Sequence, residues 1–450
     1  VARTADLSVP IAGADLRTLS PWQLMNLPGA EVLALRERLL ALAAERPAIA
    51  RALREGELGA RGLIGFHSRF AALYGEPLAL PVVLAPSTAH YSWIKIVDLL
   101  GLGRTQLVSL PVDAHYRVDA DRFFETLVDL AQRDVPVLAT VAVLGATETG
   151  ALDPLEDLRA AASEPECREL HFHWHVDAAY GGYATAMYRD AQGAWTDGPS
   201  FAAANARHFR ALMTSDSITI DPHKLGYAHY PAGAVVYADN RVRELLASDA
   251  PYVFHDDAPH GQSLGRYIVE GSKPGAAAAA VWLCHQVTPL DETGYGALIG
   301  PTCAAAQELH ASLAAYRSPE GFRLIPLNTP DLNLVVFLAV PPDVRSLAAL
   351  NHFNEALFAH FTTAPDRLVF SHAFLFSKTD LEIDVYGAGL RARLDPDLAR
   401  LLHEGESLCV LRSTVMNPFV PQAIAEGPYL EDLLTALESG MRAVQPLGRL

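Results

Sequence analysis

Cysteine is scarce: four in 450 residues, at positions 167, 284, 303 and 409, with no Cys-x-x-Cys pair. Such spacing argues against a disulfide framework and reads as reduced thiols in a cytoplasmic protein. Nowhere do about 18 apolar residues run uninterrupted, so the sequence offers no membrane span. No basic stretch followed by an apolar one opens the chain, so no secretion signal is legible. Basic runs are missing as well, and the formal charge is −17. Nucleic acid and anionic membrane are therefore poor partners. No internal repeat or low-complexity tract is evident.

What is present suffices for a large core. Half the residues are hydrophobic, and the length calls for two or three packed units. Residues 1–22, with Pro10 and Pro21, read as an extended lead-in. Leucines at helical spacing predict a helix over 31–44; Pro47 interrupts it, and 49–58 resumes it up to the glycines at 59 and 62. The apolar face of this pair is expected to pack on the main body or on a second subunit.

From Pro81 the pattern changes. Short apolar runs at 81–85, 106–110, 136–144, 172–176, 217–220 and 232–237 are separated in several places by helix-like stretches at 93–100, 119–132, 155–162 and 202–212. This alternation predicts an α/β fold, a mostly parallel sheet with helices on both faces. Ligands in such sheets bind beyond the strands' carboxyl ends. A helix is predicted over 275–286. After about 311, strands at 334–340 and 408–412 and helices at 347–361 and 429–444 suggest a smaller α+β domain. The expected division is an N-terminal helical segment (1–80), a large domain (81–310) and a small C-terminal domain (311–450).

The chain centres on Ser217-Ile-Thr-Ile-Asp-Pro-His-Lys-Leu-Gly-Tyr-Ala-His-Tyr-Pro-Ala-Gly233, which reads as strand, turn, strand. Its one lysine, Lys224, stands between apolar runs, where a buried ammonium is costly unless paired or neutralised. An imine with a carbonyl compound neutralises it; a surface turn leaves it solvated. On this segment alone both readings stand. A second segment, His171-Phe-His-Trp-His-Val-Asp-Ala-Ala-Tyr-Gly-Gly182, is an apolar strand ending in an acid and small residues. Asp177 there suits a protonated pyridine nitrogen, and Ala179 leaves room for a flat ring. His171, His173, His175 and Asp177 also alternate along one strand face, which raises the rival of a zinc hydrolase. No fourth ligand or catalytic glutamate stands out, and no metal is expected.

Together these segments resemble the group II pyridoxal-phosphate-dependent amino-acid decarboxylases, most nearly the bacterial tyrosine decarboxylases. Further matching pieces are His90-Tyr-Ser-Trp93, Gly145-Ala-Thr-Glu-Thr-Gly150 and Glu270-Gly-Ser-Lys-Pro-Gly275, in the same order and at similar spacing. The likeness spans roughly residues 81–310, plus a patch at 411–418. It implies a fold-type I enzyme that uses pyridoxal 5'-phosphate (PLP) to decarboxylate an aromatic L-amino acid, tyrosine being the expected substrate.

The resemblance also implies roles. Lys224 holds the cofactor, Asp177 faces the ring nitrogen with His175 orienting it, and His90 stacks on the ring. The Thr147 hydroxyl reaches the ring's phenolic oxygen, although Thr and Gly are ordinary turn residues. His223 meets the phosphate or lies beside the imine, while Asp221 is expected to point away. Ser272 reaches a phosphate, in relatives often that of the neighbouring subunit, and Lys273 reads as a solvated cation. Tyr230 is the expected proton donor to Cα, with Tyr227 as competitor and aromatic packing as the plain alternative. Ser413 lines the side-chain pocket.

One piece of the family pattern is not found in residues 1–80: the Gly-Gly-Thr-like phosphate loop and its helix, which hold an anion at a helix N-terminus. The expectation is weak PLP binding by this chain alone, a homodimer, and association with a separate N-terminal polypeptide. The remaining alternatives are a non-catalytic subunit serving an active homologue, or a PLP-dependent carbon–carbon lyase or aldehyde synthase.

Overall fold

A computed structural model describes residues 8–11, 13–75, 79–248, 264–270, 272–364 and 369–445. The first residues of the lead-in and Gly271 of the Gly-Ser-Lys-Pro-Gly motif lie outside the described residues.

The core of the fold is a six-stranded sheet built from β1 (Val82–Pro86), β2 (Leu107–Leu110), β3 (Val137–Val143), β4 (His173–Asp177), β5 (Ser217–Ile220) and β6 (Ala234–Tyr237). Their order across the sheet is β2-β1-β3-β4-β5-β6. All neighbours pair in parallel except β5 and β6, which are antiparallel and place β6 at one edge. β1 is buried on both faces, as expected of a strand covered by helices. β4 alternates instead: Trp174 and Val176 are buried, whereas His173, His175 and Asp177 are half-buried on the other face.

The covering helices follow from local chemistry. The helix Ala120–Gln132 starts on Asp119, whose carboxylate accepts from the N–H groups of Asp121 and Arg122, and it buries Phe123, Leu127 and Leu130 against the sheet. Leu155–Ala162 packs beside it. The stretch expected as one helix at 202–212 is instead two 3₁₀ segments flanking the short helix Ala206–Ala211.

A second sheet contains β7 (Arg323–Pro326), β8 (Leu334–Val340), β9 (Ser377–Glu382) and β10 (Ser407–Thr414), in the order β9-β10-β8-β7 and antiparallel throughout. Helices Leu347–His360 and Tyr429–Val444 pack with it around a core containing Phe337, Phe353 and Leu437. The helix Tyr295–Ala315, which the sequence reading did not anticipate, joins the two sheets. Its small residues let it approach closely: a Cβ at Gly296 would lie 2.8 Å from the Ala186 carbonyl oxygen.

The N-terminal part departs most from expectation. Pro21 does not extend the lead-in. It opens the helix Pro21–Met25 behind a Ser20–Gln23 capping box. Helices Gly29–Glu45 and Pro47–Gly56 match the two expected, but the glycines at 59 and 62 do not end the run. A third helix, Leu58–Tyr74, continues, with Gly62 at φ +66° absorbing a kink. The first two helices pack on each other through Leu35, Leu39, Leu42, Ile49 and Leu53. Arg36 Nη2 reaches the Glu244 carbonyl at 3.1 Å. Among the described residues no helix is long and apolar enough to cross a membrane.

Candidate active site

Parallel strands bring their carboxyl ends to one edge, and there the motifs gather. His90 follows β1, Thr147 follows β3, Asp177 ends β4 and Lys224 follows β5. In the register, Asp177 stands opposite Val143 of β3 and Thr219 of β5.

The loop from β5 to β6 carries Lys224 and is fixed at several points. The Asp221 N–H donates to the Ala179 carbonyl at 3.1 Å, and the Lys224 N–H returns to the Asp221 carbonyl at 2.9 Å. Leu225 is fully buried. At position 226 only glycine fits, since a Cβ there would lie 2.5 Å from Tyr183 Cζ and 2.6 Å from the Pro222 carbonyl oxygen. The buried Tyr295 donates its hydroxyl to the Gly226 carbonyl at 3.0 Å. Tyr183 packs against Tyr295 and bonds His285 Nε2 through its hydroxyl at 2.9 Å. This aromatic floor was not legible in the sequence, because its members come from segments about 40 to 110 residues apart.

Lys224 Nζ lies 2.9 Å from Asp221 Oδ2, and His223 Nε2 lies 3.5 Å from the same oxygen. Asp221 therefore does not point away as expected. A partly buried ammonium needs a nearby counter-charge, and the turn brings the side chain three positions earlier alongside. His223 Nδ1 hydrogen-bonds the Ala232 carbonyl. The imidazole lies against Tyr230, with centroids 3.8 Å apart and planes inclined by 34°. Tyr230 is 74% exposed. Tyr227 differs: its backbone is left-handed at φ +53°, and its hydroxyl donates to the Met416 carbonyl at 2.9 Å. Burial pushes its phenol up to about 12.

On the half-buried face of β4, His173 Nε2 and His175 Nδ1 meet Ser217 Oγ at 2.7 and 2.8 Å, and His175 Nε2 meets Thr219 Oγ1 at 3.2 Å. His175 is thus held by β5 and not, as expected, as the orienting partner of Asp177. Asp177 Oδ1 accepts instead from the Ala179 N–H at 3.2 Å. Burial holds both imidazoles below the ordinary histidine pKa; at His175 the Asp177 carboxylate opposes the shift. The matching polar alternation of Ser217 and Thr219 was the available signal for this cross-strand pairing. Among the described residues no three His, Cys, Asp or Glu side chains form a group that could hold a metal ion.

His90 Nδ1 accepts from the Ser92 N–H at 3.3 Å and lies 2.9 Å from Ser92 Oγ, so this nitrogen is committed to the following helix. Trp93 of that helix meets His175 edge-on, with centroids 5.5 Å apart, which ties the His90 turn to β4. Thr147 is exposed, and its carbonyl accepts from Arg412 Nη1 at 2.7 Å. Ser413, next along β10, is half-buried opposite Val335. Ser272 is exposed, and its N–H donates to the Glu270 carbonyl. Lys273 is not simply solvated, because it pairs with Glu270 at 3.2 Å. Among the described residues no hydrogen bond or ion pair joins this segment to the Lys224 loop. His90, Thr147, Asp177, Ala179, His223 and Lys224 therefore share one edge, while the bonds of the Ser272 segment are local to it.

Two family models match the chain. "Pyridoxal-dependent decarboxylase conserved domain" covers residues 75–340, and "Tyrosine decarboxylase, C-terminal" covers residues 317–441. The L-tyrosine decarboxylase of Enterococcus faecium is 34% identical over 382 residues, covering 80% of this chain and 62% of that protein. The L-tyrosine decarboxylase of Enterococcus faecalis is 30% identical over 452 residues, covering 94% of this chain and 69% of that protein. The chain thus spans under two thirds of the first of these relatives and slightly more of the second. Among solved structures, mouse CSAD superposes with a TM-score of 0.60 at 18% identity, over 93% of this chain and 74% of that one; this likeness concerns the fold.

Proposed function

Because the chain belongs to the pyridoxal-dependent decarboxylase family, we propose that it removes the α-carboxylate of an aromatic L-amino acid, tyrosine first among them, as CO2. One observation carries the reading: Asp177 and Lys224 stand at the carboxyl ends of the adjacent strands β4 and β5, joined through the Ala179–Asp221 hydrogen bond. The match of residues 317–441 to a tyrosine decarboxylase C-terminal model supports the substrate class.

The residues present fit PLP. A primary amine, a carboxylate and small residues lie together at this edge, and Thr88 Oγ1, beside His90, is buried without a partner among the described residues. When bound, the cofactor supplies an aldehyde for the substrate amine and a conjugated pyridinium that takes up electrons as the carboxylate leaves. The chain's own contributions are then distinct. Lys224 Nζ would hold the cofactor at its aldehyde carbon, with water leaving, and Asp221 positions the amine. Asp177 keeps a proton on the ring nitrogen, beside Ala179. His90 covers the ring, with Nδ1 already engaged by Ser92. His223 and Thr147 border the ring and phosphate, and Tyr230 delivers a proton to the substrate Cα. Ser413 meets the substrate side chain from β10.

We take residues 81–310 as the cofactor-binding unit, 311–450 as the smaller C-terminal unit and 1–80 as an N-terminal helical segment. A homodimer is part of the proposal. Ser272 is exposed and makes no hydrogen bond to its own Lys224 loop among the described residues, so it suits the partner's phosphate, and Trp282, Leu283 and Val287 expose apolar surface on the next helix. A separate N-terminal polypeptide bearing a glycine-rich phosphate loop would complete the anion contacts. Four unpaired cysteines suit a cytoplasmic setting. The deciding experiment is turnover by the purified chain with PLP on a panel of amino acids including tyrosine and aspartate, assaying CO2, amine and aldehyde. No CO2 from any member, with or without an N-terminal fragment of a relative, would refute the reading.

A further inference from the structure

Toward the other end of these strands lies a group of arginines that the chemistry around Lys224 does not use. Three arginines, with Glu156, Ala211 and Thr214, line a cleft of about 400 Å3. Arg159 comes from the helix Leu155–Ala162, and Arg207 and Arg210 from the helix Ala206–Ala211. Thr214 shortly precedes β5, and Trp174 beneath Arg159 lies at the start of β4. The cleft therefore sits toward the amino ends of the two strands whose carboxyl ends bear Asp177 and Lys224.

Three guanidinium groups meet around this cleft against the carboxylates of Glu156, Asp157 and Asp197, and their donors are unequally satisfied. Arg207 commits Nη1 and Nη2 to Asp157, at 3.2 and 3.1 Å. Arg210 commits only Nη2, to the Thr196 carbonyl at 2.9 Å and Asp197 at 2.7 Å. Arg159 lies over the indole of Trp174, its Cζ 4.3 Å from the ring. It makes no hydrogen bond or ion pair among the described residues. The indole face shields one side of this partly buried guanidinium from water, so its N–H groups must find acceptors elsewhere. Partly desolvated donors without a partner favour a charged acceptor.

We propose that this cleft binds a small molecule through a phosphate group. A tetrahedral dianion presents acceptors in several directions, which suits donors arriving from two helices, whereas one bidentate arginine already satisfies a carboxylate. The volume falls within the range of small-molecule sites and exceeds that of phosphate alone. An occupant also bears on the catalytic strands, because the Trp174 N–H donates to Asp216 Oδ2 at 2.7 Å just ahead of β5.

The test is calorimetric titration of the purified full chain with pyrophosphate, in chloride buffer near 0.15 M. Saturable binding is expected. Arg159→Gln and Arg210→Gln should each weaken it at least tenfold, whereas Lys224→Ala and Arg442→Gln should leave it within twofold. Arg210 is exposed, so its replacement does not disturb the core, and circular dichroism with a melting curve checks the fold of each variant. Absence of saturable binding in the unmodified chain overturns the proposal. So does binding that survives in both arginine variants and disappears in Lys224→Ala, which would locate the anion at the other edge.

Discussion

Lys224 Nζ and Asp221 Oδ2 lie 2.9 Å apart, three residues distant along one turn, with the lysine side chain about one third exposed. The pair has two separable roles. The amine is the only one on this loop that can bind an aldehyde covalently, while the carboxylate only positions it. Lys224→Ala should abolish any borohydride-sensitive absorbance band formed with PLP. Asp221→Ala should retain the band but lower kcat/KM by about 10²-fold, the scale of loss when a reacting group is misplaced by about an ångström. An unchanged band in Lys224→Ala would remove the central residue of the assignment.

Asp177 ends β4, and His171 is an exposed residue ahead of that strand whose N–H donates to Asn26 Oδ1. Asp177→Ala is expected to reduce kcat by at least about 10²-fold, the lower bound for losing a catalytic proton position. His171→Ala should change it less than about twofold, as surface substitutions seldom matter. Turnover assays on the two variants, with and without added zinc, separate the readings. Equal losses that zinc restores would favour a metal site.

The contrast between legible and hidden features follows from what carries the signal. Leu155–Ala162, Ser217–Ile220, Leu334–Val340 and Tyr429–Val444 stand where periodicity placed them, because each has an apolar pattern bounded by breakers. The helix Leu58–Tyr74 was missed because glycine was read as a terminator, whereas Gly62 adopts φ +66° within a kinked helix. The motif residues could be assigned to one sheet edge, since strand order in parallel sheets sends them there. Their partners could not. Tyr295 beneath Gly226, Met416 above Tyr227 and Ser217 between two histidines depend on tertiary approach. Asp221 pairs with the Lys224 ammonium because the turn folds the two together, a proximity that the spacing of charged residues alone does not encode.

His208 supplies a pH test of the fold. It is buried, and its Nδ1 has no partner among the described residues. Burial lowers its pKa to about 4, assisted by Arg207 and Arg117 and opposed by Asp157. An unfolded chain binds this proton near pH 6.5, so between about 6.5 and 4 the unfolded state holds more protons than the folded one. The stabilising contribution is complete above about pH 6.5 and is lost as pH falls through about 4, with a slope of at most about 1.4 kcal/mol per pH unit. Urea denaturation from pH 4.5 to 7.5 should show a shallower slope for His208→Leu than for the unmodified chain. Identical slopes would mean that this imidazole does not titrate differently on unfolding.

Two tyrosines are candidates for the proposed proton transfer to Cα, and the structure separates them by what their hydroxyls touch. The Tyr227 hydroxyl is already donated to the Met416 carbonyl, and burial holds the proton on it, with the phenol pushed up to about 12. Tyr230 is exposed, leans on His223, and makes no side-chain hydrogen bond among the described residues. Of the two phenols, only that of Tyr230 is uncommitted among the described residues. Tyr230→Phe keeps the ring on His223 and removes the proton alone. Amine formation should drop by about 10²-fold, the usual scale for a lost general acid, while CO2 is still released and carbonyl by-products rise in proportion. Tyr227→Phe should lower stability by about 1 kcal/mol, the typical net contribution of one hydrogen bond, with product ratios unchanged. Measuring CO2, amine and carbonyl from the same reaction distinguishes the two variants. Normal amine yield from Tyr230→Phe would assign the proton to another donor, such as His90 or a water molecule.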